Sequence, residues 1–114
     1  MGSAGDTVGQ AREQCLQQYE RCADRCERAL ERLWEDGGTR ELRNELIVCA
    51  AVCRVAARAL GDTARIAAAL VEYSVDVCRR CAERVAATDD GGRHELVQAC
   101  TDAAESAATL LLIG

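Results

Sequence analysis

Eight cysteines recur at helical spacing along this 114-residue chain, and every one lies on the stripe that a helix turns toward its core. They are Cys15, Cys22, Cys26, Cys49, Cys53, Cys78, Cys81 and Cys100. A helix that packs against partners buries positions about 3.5 residues apart. Thiolate is a soft ligand that suits Cu(I), zinc and iron–sulfur clusters. The pattern therefore indicates a helical interior in which thiols bind metal ions.

Two pairs of cysteines have the spacing that places both thiols on one face of a helix. Cys22 and Cys26 form one i,i+4 pair, and Cys49 and Cys53 form the other. Each pair can bind one ion or bridge neighbouring ions. A tube of such thiols suits several Cu(I) ions that share thiolates, because each cation offsets the cost of burying a negative sulfur.

The composition and the turn residues predict four helices that position these thiols. The chain is rich in alanine and has no proline, which favours uninterrupted helices. Glycine pairs and capping residues separate the helical segments. The predicted helices run from Thr7, in a capping box with Gln10, to about Trp34 or Glu35; from Thr39 to Leu60; from Asp62 or Thr63 to about Ala87; and from about Arg93 to Leu112.

The short connections make sequential helices antiparallel neighbours. The predicted fold is therefore all-α, a single domain over residues 1–114 folded as an up-down-up-down four-helix bundle with a cysteine-lined core. Counting residues back from the predicted turns places Cys26 level with Cys49 and Cys22 level with Cys53, in two stacked layers. The same count places Cys81 level with Cys100. Cys78 lies a turn away from Cys81, so seven of the eight cysteines fall in one half of the bundle, with Cys15 nearer the other end.

The composition also argues against several classes of function. The net charge is −5, and no basic stripe indicates nucleic-acid binding. No long apolar run predicts a membrane span, and the N-terminus does not resemble a secretory signal. We therefore expect a cytoplasmic protein with reduced thiols. The single histidine, His94, gives little basis for Cys–His catalysis, so an enzyme is not expected. His94 lies at the start of the fourth helix, at the thiol-rich end, and is a candidate gate ligand.

The chain resembles the cytosolic type of the cysteine-rich four-helix-bundle copper storage proteins. The resemblance is carried by the two CxxxC pairs and by the stretch Val75-Asp76-Val77-Cys78-Arg79-Arg80-Cys81-Ala82-Glu83-Arg84. It implies that all eight cysteines bind Cu(I) along the bundle axis and that the protein assembles as a tetramer. Denser members of the family have further cysteines where this chain has Tyr73, Ser74, Val85 and Ala104. The resemblance therefore implies a smaller copper cluster here.

Two other functions fit the same helices. Cys22, Cys26, Cys49 and Cys53 form a four-thiol set that could hold one iron–sulfur cluster or one zinc ion, as an electron-transfer or regulatory module. Alternatively, the protein is a metal-free helical interaction protein in which cysteines act as small apolar core residues. Disulfide staples are disfavoured, because i,i+4 thiols on one helix bridge poorly.

Several apolar residues fall outside the predicted core stripes. Residues 110–113 are consecutive and apolar, so one helix stripe cannot bury all of them. Trp34 and the pair Ile47 and Val48 add further apolar surface. Such patches usually mark contacts between proteins, so we expect a homo-oligomer, a dimer or a tetramer. Tyr19 and Tyr73 are expected to be core aromatic residues.

Overall fold

Four α-helices make up nearly all of the computed structural model. It describes the backbone of residues 4–36, 39–60, 64–88 and 93–113. Side chains are described for residues 7–33, 39–60, 68–88 and 93–113. The helices are α1, Ala4–Asp36; α2, Arg40–Ala59; α3, Ala64–Ala87; and α4, His94–Ile113. The described residues contain no strand.

Each helix packs against two neighbours, so that the four form a closed ring in the order α1, α2, α3, α4. The bundle measures 51 × 25 × 18 Å. The 33 residues of α1 span its length, since a helix rises about 1.5 Å per residue. The predicted up-down-up-down four-helix bundle is confirmed.

The boundaries of the helices differ little from those predicted. Thr39 is the N-cap of α2, and its side chain accepts a hydrogen bond of 3.3 Å from the backbone N–H of Leu42. The prediction for α1 was wrong at its start, because the helix begins at Ala4 and Thr7 lies inside it. No proline interrupts the preceding residues, so the backbone can continue as a helix. The predicted caps at Asp62 and Thr63 lie outside the described residues.

Ion pairs on the outer surface join neighbouring helices at the level of the cysteines. Arg21 of α1 contacts Asp102 of α4 at 3.2 Å, and Arg84 of α3 contacts Glu45 of α2 at 3.4 Å. Exposed pairs of this kind contribute at most about 1 kcal/mol each. These ion pairs help to orient neighbouring helices, whereas most of the stability of the bundle comes from its buried apolar residues.

Helix α4 is the most apolar of the four. Among the described helices it alone is long enough and apolar enough to cross a membrane, with a mean hydropathy of 1.3 over its most apolar window. Its apolar residues also supply one wall of the core. The buried ones are Leu96, Ala99, Cys100, Ala103, Ala104, Ala107 and Leu110. Core packing therefore accounts for much of its composition.

Candidate metal centre

All eight cysteines are free thiols, and all are completely buried. Every helix contributes at least one of them, because each cysteine lies on the stripe that its helix turns toward the bundle axis. They share the core with many alanines, which let the helices approach closely. The cysteine-lined core predicted from the sequence is confirmed.

A first group of four thiols joins three helices. It consists of Cys22 and Cys26 from α1, Cys49 from α2 and Cys100 from α4, and their sulfur atoms all lie within 4.8 Å of one another. The Cys22 thiol donates a hydrogen bond of 3.6 Å to Cys100 and lies 3.7 Å from the Cys49 sulfur. Four sulfurs at this separation can surround one metal ion.

A second group of four thiols lies directly next to the first. It consists of Cys22, Cys49, Cys53 and Cys78, again with all sulfur atoms within 4.8 Å of one another. Cys53 and Cys78 are 3.5 Å apart, and the Cys49 thiol donates to Cys78 at 4.0 Å. Cys22 and Cys49 belong to both groups, so a metal ion in either one could share these two sulfurs with its neighbour.

The remaining two cysteines continue this arrangement at its ends. Cys81 interacts by hydrogen bonding with Cys100 and Cys26 at the end nearer the α1–α2 connection. Cys15 lies at the opposite end, one turn before Tyr19 on α1, and belongs to neither four-thiol group. The eight cysteines therefore follow the bundle axis, with Cys15 separated from the other seven by one turn of α1; we call the eight together the thiol column.

The predicted level pairs lie close together, since Cys26 is within 4.8 Å of Cys49 and Cys22 is within 4.8 Å of Cys53, but the two layers are not separate. The predicted set of Cys22, Cys26, Cys49 and Cys53 is divided, because Cys26 and Cys53 fall in different groups. Cys49 lies between the two thiols of α1, and Cys22 lies between the two thiols of α2. Side chains of one packed helix insert between those of the facing helix, so the layers interleave.

Charge inside the column depends on the neighbouring thiols. Hydrogen bonding with Cys100, then with Cys22 and Cys26, lowers the pKa of Cys49. Hydrogen bonding with Cys100 is also the largest effect on Cys26, but there it raises the pKa. Burial raises the pKa of Cys15 to about 11. One thiolate is stabilised by its neighbours, whereas several buried thiolates together require cations.

His94 is the first residue of α4, and its side chain is exposed. Neither four-thiol group includes it, and both consist only of cysteine. Its role as a gate ligand stays a prediction.

The sequence did not predict the polar contact at the Cys15 end of the column. Tyr19 is completely buried as expected, and its hydroxyl lies 2.6 Å from the hydroxyl of Ser74, which is also completely buried. The prediction for Tyr73 was wrong, because its side chain is 50% exposed. Ser74 takes the inward position of α3, and its neighbour Tyr73 turns outward, since adjacent residues of a helix point about 100° apart. The sequence did contain one indication of this contact, because a serine on a core stripe needs a buried hydrogen-bond partner.

The fold and the thiol column together define a helical-bundle protein that can hold metal ions in its interior through cysteine sulfur. The sequence profile of the copper storage protein family matches residues 5–111. The chain therefore belongs to the copper storage protein family. A search of curated proteins gave no significant match. The family is one of storage proteins, and the two buried four-thiol groups are consistent with that role.

Proposed function

We propose that the reduced protein stores or buffers copper by binding several Cu(I) ions to the thiolates of the thiol column. The observation that carries this proposal is that two four-thiol groups share Cys22 and Cys49. We also propose that all eight cysteines are ligands, that the protein acts in the cytoplasm, and that it is not an enzyme. Reduced thiols persist in that compartment.

Sharing of sulfurs favours Cu(I) over other metals. Soft thiolate ligands select Cu(I), zinc and iron–sulfur clusters. Cu(I) accepts few sulfur ligands, and one thiolate can bridge two Cu(I) ions, so eight thiols can serve several ions. A single zinc ion would use one group and leave at least four of the eight cysteines without a role. Each Cu(I) also neutralises a buried thiolate.

Anaerobic titration of the reduced protein with Cu(I), in competition with a coloured Cu(I) chelator, tests the proposal. We expect more than one tightly bound ion per chain, because the column offers at least two adjoining sites. The control is a variant with all eight cysteines replaced by alanine, which should compete no better than buffer. An absence of tight uptake by the unmodified protein would exclude copper storage.

Zinc or an iron–sulfur cluster in the first group is the second candidate, because four sulfurs within 4.8 Å also suit tetrahedral coordination. Colour separates these possibilities after purification without oxygen. An iron–sulfur protein is brown, whereas the zinc and Cu(I) forms are colourless. Elemental analysis of protein from its native host then distinguishes zinc from copper.

We further propose that the protein is a homo-oligomer. Ile47, Val48 and Val55 of α2 are 50%, 41% and 51% exposed and lie on one side of that helix. At the end of α4, Leu110 is buried, but Leu112 is 87% exposed. Contiguous apolar surface usually marks a contact. Family membership favours a tetramer over a dimer.

Light scattering at micromolar concentration should therefore give a mass of at least two chains. Substitution of both Ile47 and Val55 by lysine places charges on the apolar face of α2 and should shift the protein toward monomer. The control is Glu41→Lys, which also adds positive charge to α2 but at an exposed position in the first turn, before the apolar residues begin. It should leave the oligomer unchanged. A monomer for the unmodified protein would rule out the assembly.

A further inference from the structure

Two thiols of the second group lie in close contact across neighbouring helices. The sulfurs of Cys53 on α2 and Cys78 on α3 are 3.5 Å apart, the shortest of the sulfur–sulfur contacts described above. The geometry that disfavours a bridge between i,i+4 thiols of one helix does not apply to them, because α2 and α3 pack side by side. A disulfide bond of about 2.05 Å would require the two sulfurs to approach by about 1.5 Å. Rotation about the Cα–Cβ bonds can supply this movement.

The first four-thiol group is complete without this pair. Cys53 and Cys78 belong only to the second group, so a bond between them leaves the first with four sulfurs within 4.8 Å of one another. The next shortest contact, 3.6 Å between Cys22 and Cys100, is different. A bond there would remove two ligands from the first group and one from the second. Cys53 and Cys78 are therefore the close pair whose oxidation costs the column least.

A thiol pair beside an intact sulfur site is suited to reducing the metal that the site binds. Two thiols that form a disulfide give up two electrons. Cu(II) takes one electron to become Cu(I), so one pair can reduce two ions. Soft sulfur ligands favour Cu(I), and the neighbouring first group therefore draws the reaction toward the reduced ion.

We propose that the protein also takes up Cu(II) and reduces it, with Cys53 and Cys78 as the electron donors and the first four-thiol group as the site that keeps the Cu(I). This inference rests on the proposed copper storage. Each of the two S–H bonds breaks and releases a proton, and each sulfur gives one electron to one Cu(II) ion. The two sulfurs then join through one electron each. Two Cu(II) ions and two thiols thus give two Cu(I) ions, one disulfide and two protons.

The reaction changes the two groups in opposite ways. The second group keeps only Cys22 and Cys49 as thiols, and both also belong to the first group. The disulfide is neutral, so it needs no cation to offset buried charge. The protein should therefore retain less copper when copper arrives as Cu(II) than when it arrives as Cu(I). The reaction is stoichiometric, because each chain is oxidised once until another thiol reduces it.

The test is the addition of two equivalents of a Cu(II) salt to the full-length, reduced protein, without oxygen and without any other reductant. Cu(II) is paramagnetic and Cu(I) is not, so the electron paramagnetic resonance signal should disappear. Two of the eight thiols should be lost at the same time.

Peptide mapping identifies the thiols that are oxidised. After a Cu(I) chelator has removed the copper, tryptic digestion should give residues 44–54 linked to residues 66–79, since arginine precedes and ends each peptide. Cys78 is the only cysteine of the second peptide, and fragmentation distinguishes Cys53 from Cys49 in the first.

Cys53→Ala removes one electron donor and leaves the first group complete. Reduction must then use thiols of that group, so the Cu(I) retained from Cu(II) should fall by at least about twofold, as two of its four sulfurs are spent. The same variant titrated directly with Cu(I) should still fill the first group. The matched control is Cys15→Ala, which also removes a completely buried thiol but one that belongs to neither group. It should behave like the unmodified protein.

The inference is overturned if the Cu(II) signal persists, if the disulfide joins other cysteines, or if Cys53→Ala retains as much copper from Cu(II) as the unmodified protein. In each of these cases tight binding of several Cu(I) ions in the chelator titration would leave copper storage standing. A protein that binds no Cu(I) tightly overturns both proposals, because no site then keeps the reduced ion.

Discussion

Replacing Cys22 and Cys49 together by alanine is expected to remove most of the tight copper binding. These two sulfurs belong to both four-thiol groups, so their loss leaves each group with two thiols and eliminates the shared ligands. Removal of groups that merely support a ligand costs about 10- to 100-fold in affinity. The loss of two bridging ligands should weaken binding by more than about 100-fold. Chelator competition measures this change.

The matched control is the double variant Cys26→Ala and Cys53→Ala. It also removes two buried thiols from α1 and α2, but it takes one from each group and leaves the shared pair intact. Each group then keeps three sulfurs, and most of the copper should remain bound. Alanine is preferred to serine, because a serine hydroxyl at a fully buried position needs a hydrogen-bond partner.

Equal losses in the two double variants would show that the thiols act independently rather than as two groups that share ligands. Circular dichroism of the metal-free variants separates this outcome from misfolding. The helices should persist in both, because alanine favours helix and leaves only a small void in place of each sulfur.

The helices and the burial of the thiols could be predicted from the sequence, because both depend on local patterns. The absence of proline, the cap at Thr39 and the inward stripe of cysteines are each visible within a few residues. Tertiary packing then had only to bring four such stripes together, and short connections leave few alternative arrangements.

The contact between the two predicted layers could not be predicted from the same patterns. Counting from a turn paired Cys26 with Cys49 and Cys22 with Cys53, and the sulfurs of each pair lie within 4.8 Å of each other. The count did not predict that Cys22 and Cys49, from different layers, are equally close. That contact depends on how the side chains of two helices interlock and on the path of the connection. For a metal site it decides which thiols share an ion.

The role of Ser74 was hidden for a related reason. Its partner Tyr19 lies 55 positions away in the chain, on the helix diagonally opposite, so the contact exists only after the four helices have assembled. A serine on a core stripe and an inward tyrosine are each ordinary when considered alone. Tyr73 was expected to be buried like Tyr19, yet it is exposed. Its neighbour Ser74 occupies the inward position, and adjacent residues of a helix point in different directions.

Copper loading is expected to raise the thermal midpoint of the protein by roughly 10–20 °C. An ion present at 1,000 times its dissociation constant stabilises the folded state by about 4 kcal/mol. Two such ions would add about 8 kcal/mol, which at about 4 °C per kcal/mol for a domain of this size is an upper limit of about 30 °C. The unfolded chain keeps the same eight thiols and also binds copper, which reduces the effect.

The rise therefore measures what the folded arrangement adds beyond eight thiols on a flexible chain. Anaerobic calorimetry of the reduced protein with and without Cu(I) gives the two midpoints, and excess chelator should restore the lower one. The Cys22→Ala and Cys49→Ala double variant retains six thiols but loses the shared ligands, so its midpoint should rise far less. An unchanged midpoint in the unmodified protein would mean that the folded core does not bind copper better than the unfolded chain. The cysteines would then serve only as small core residues, and alanine in their place should leave folding intact.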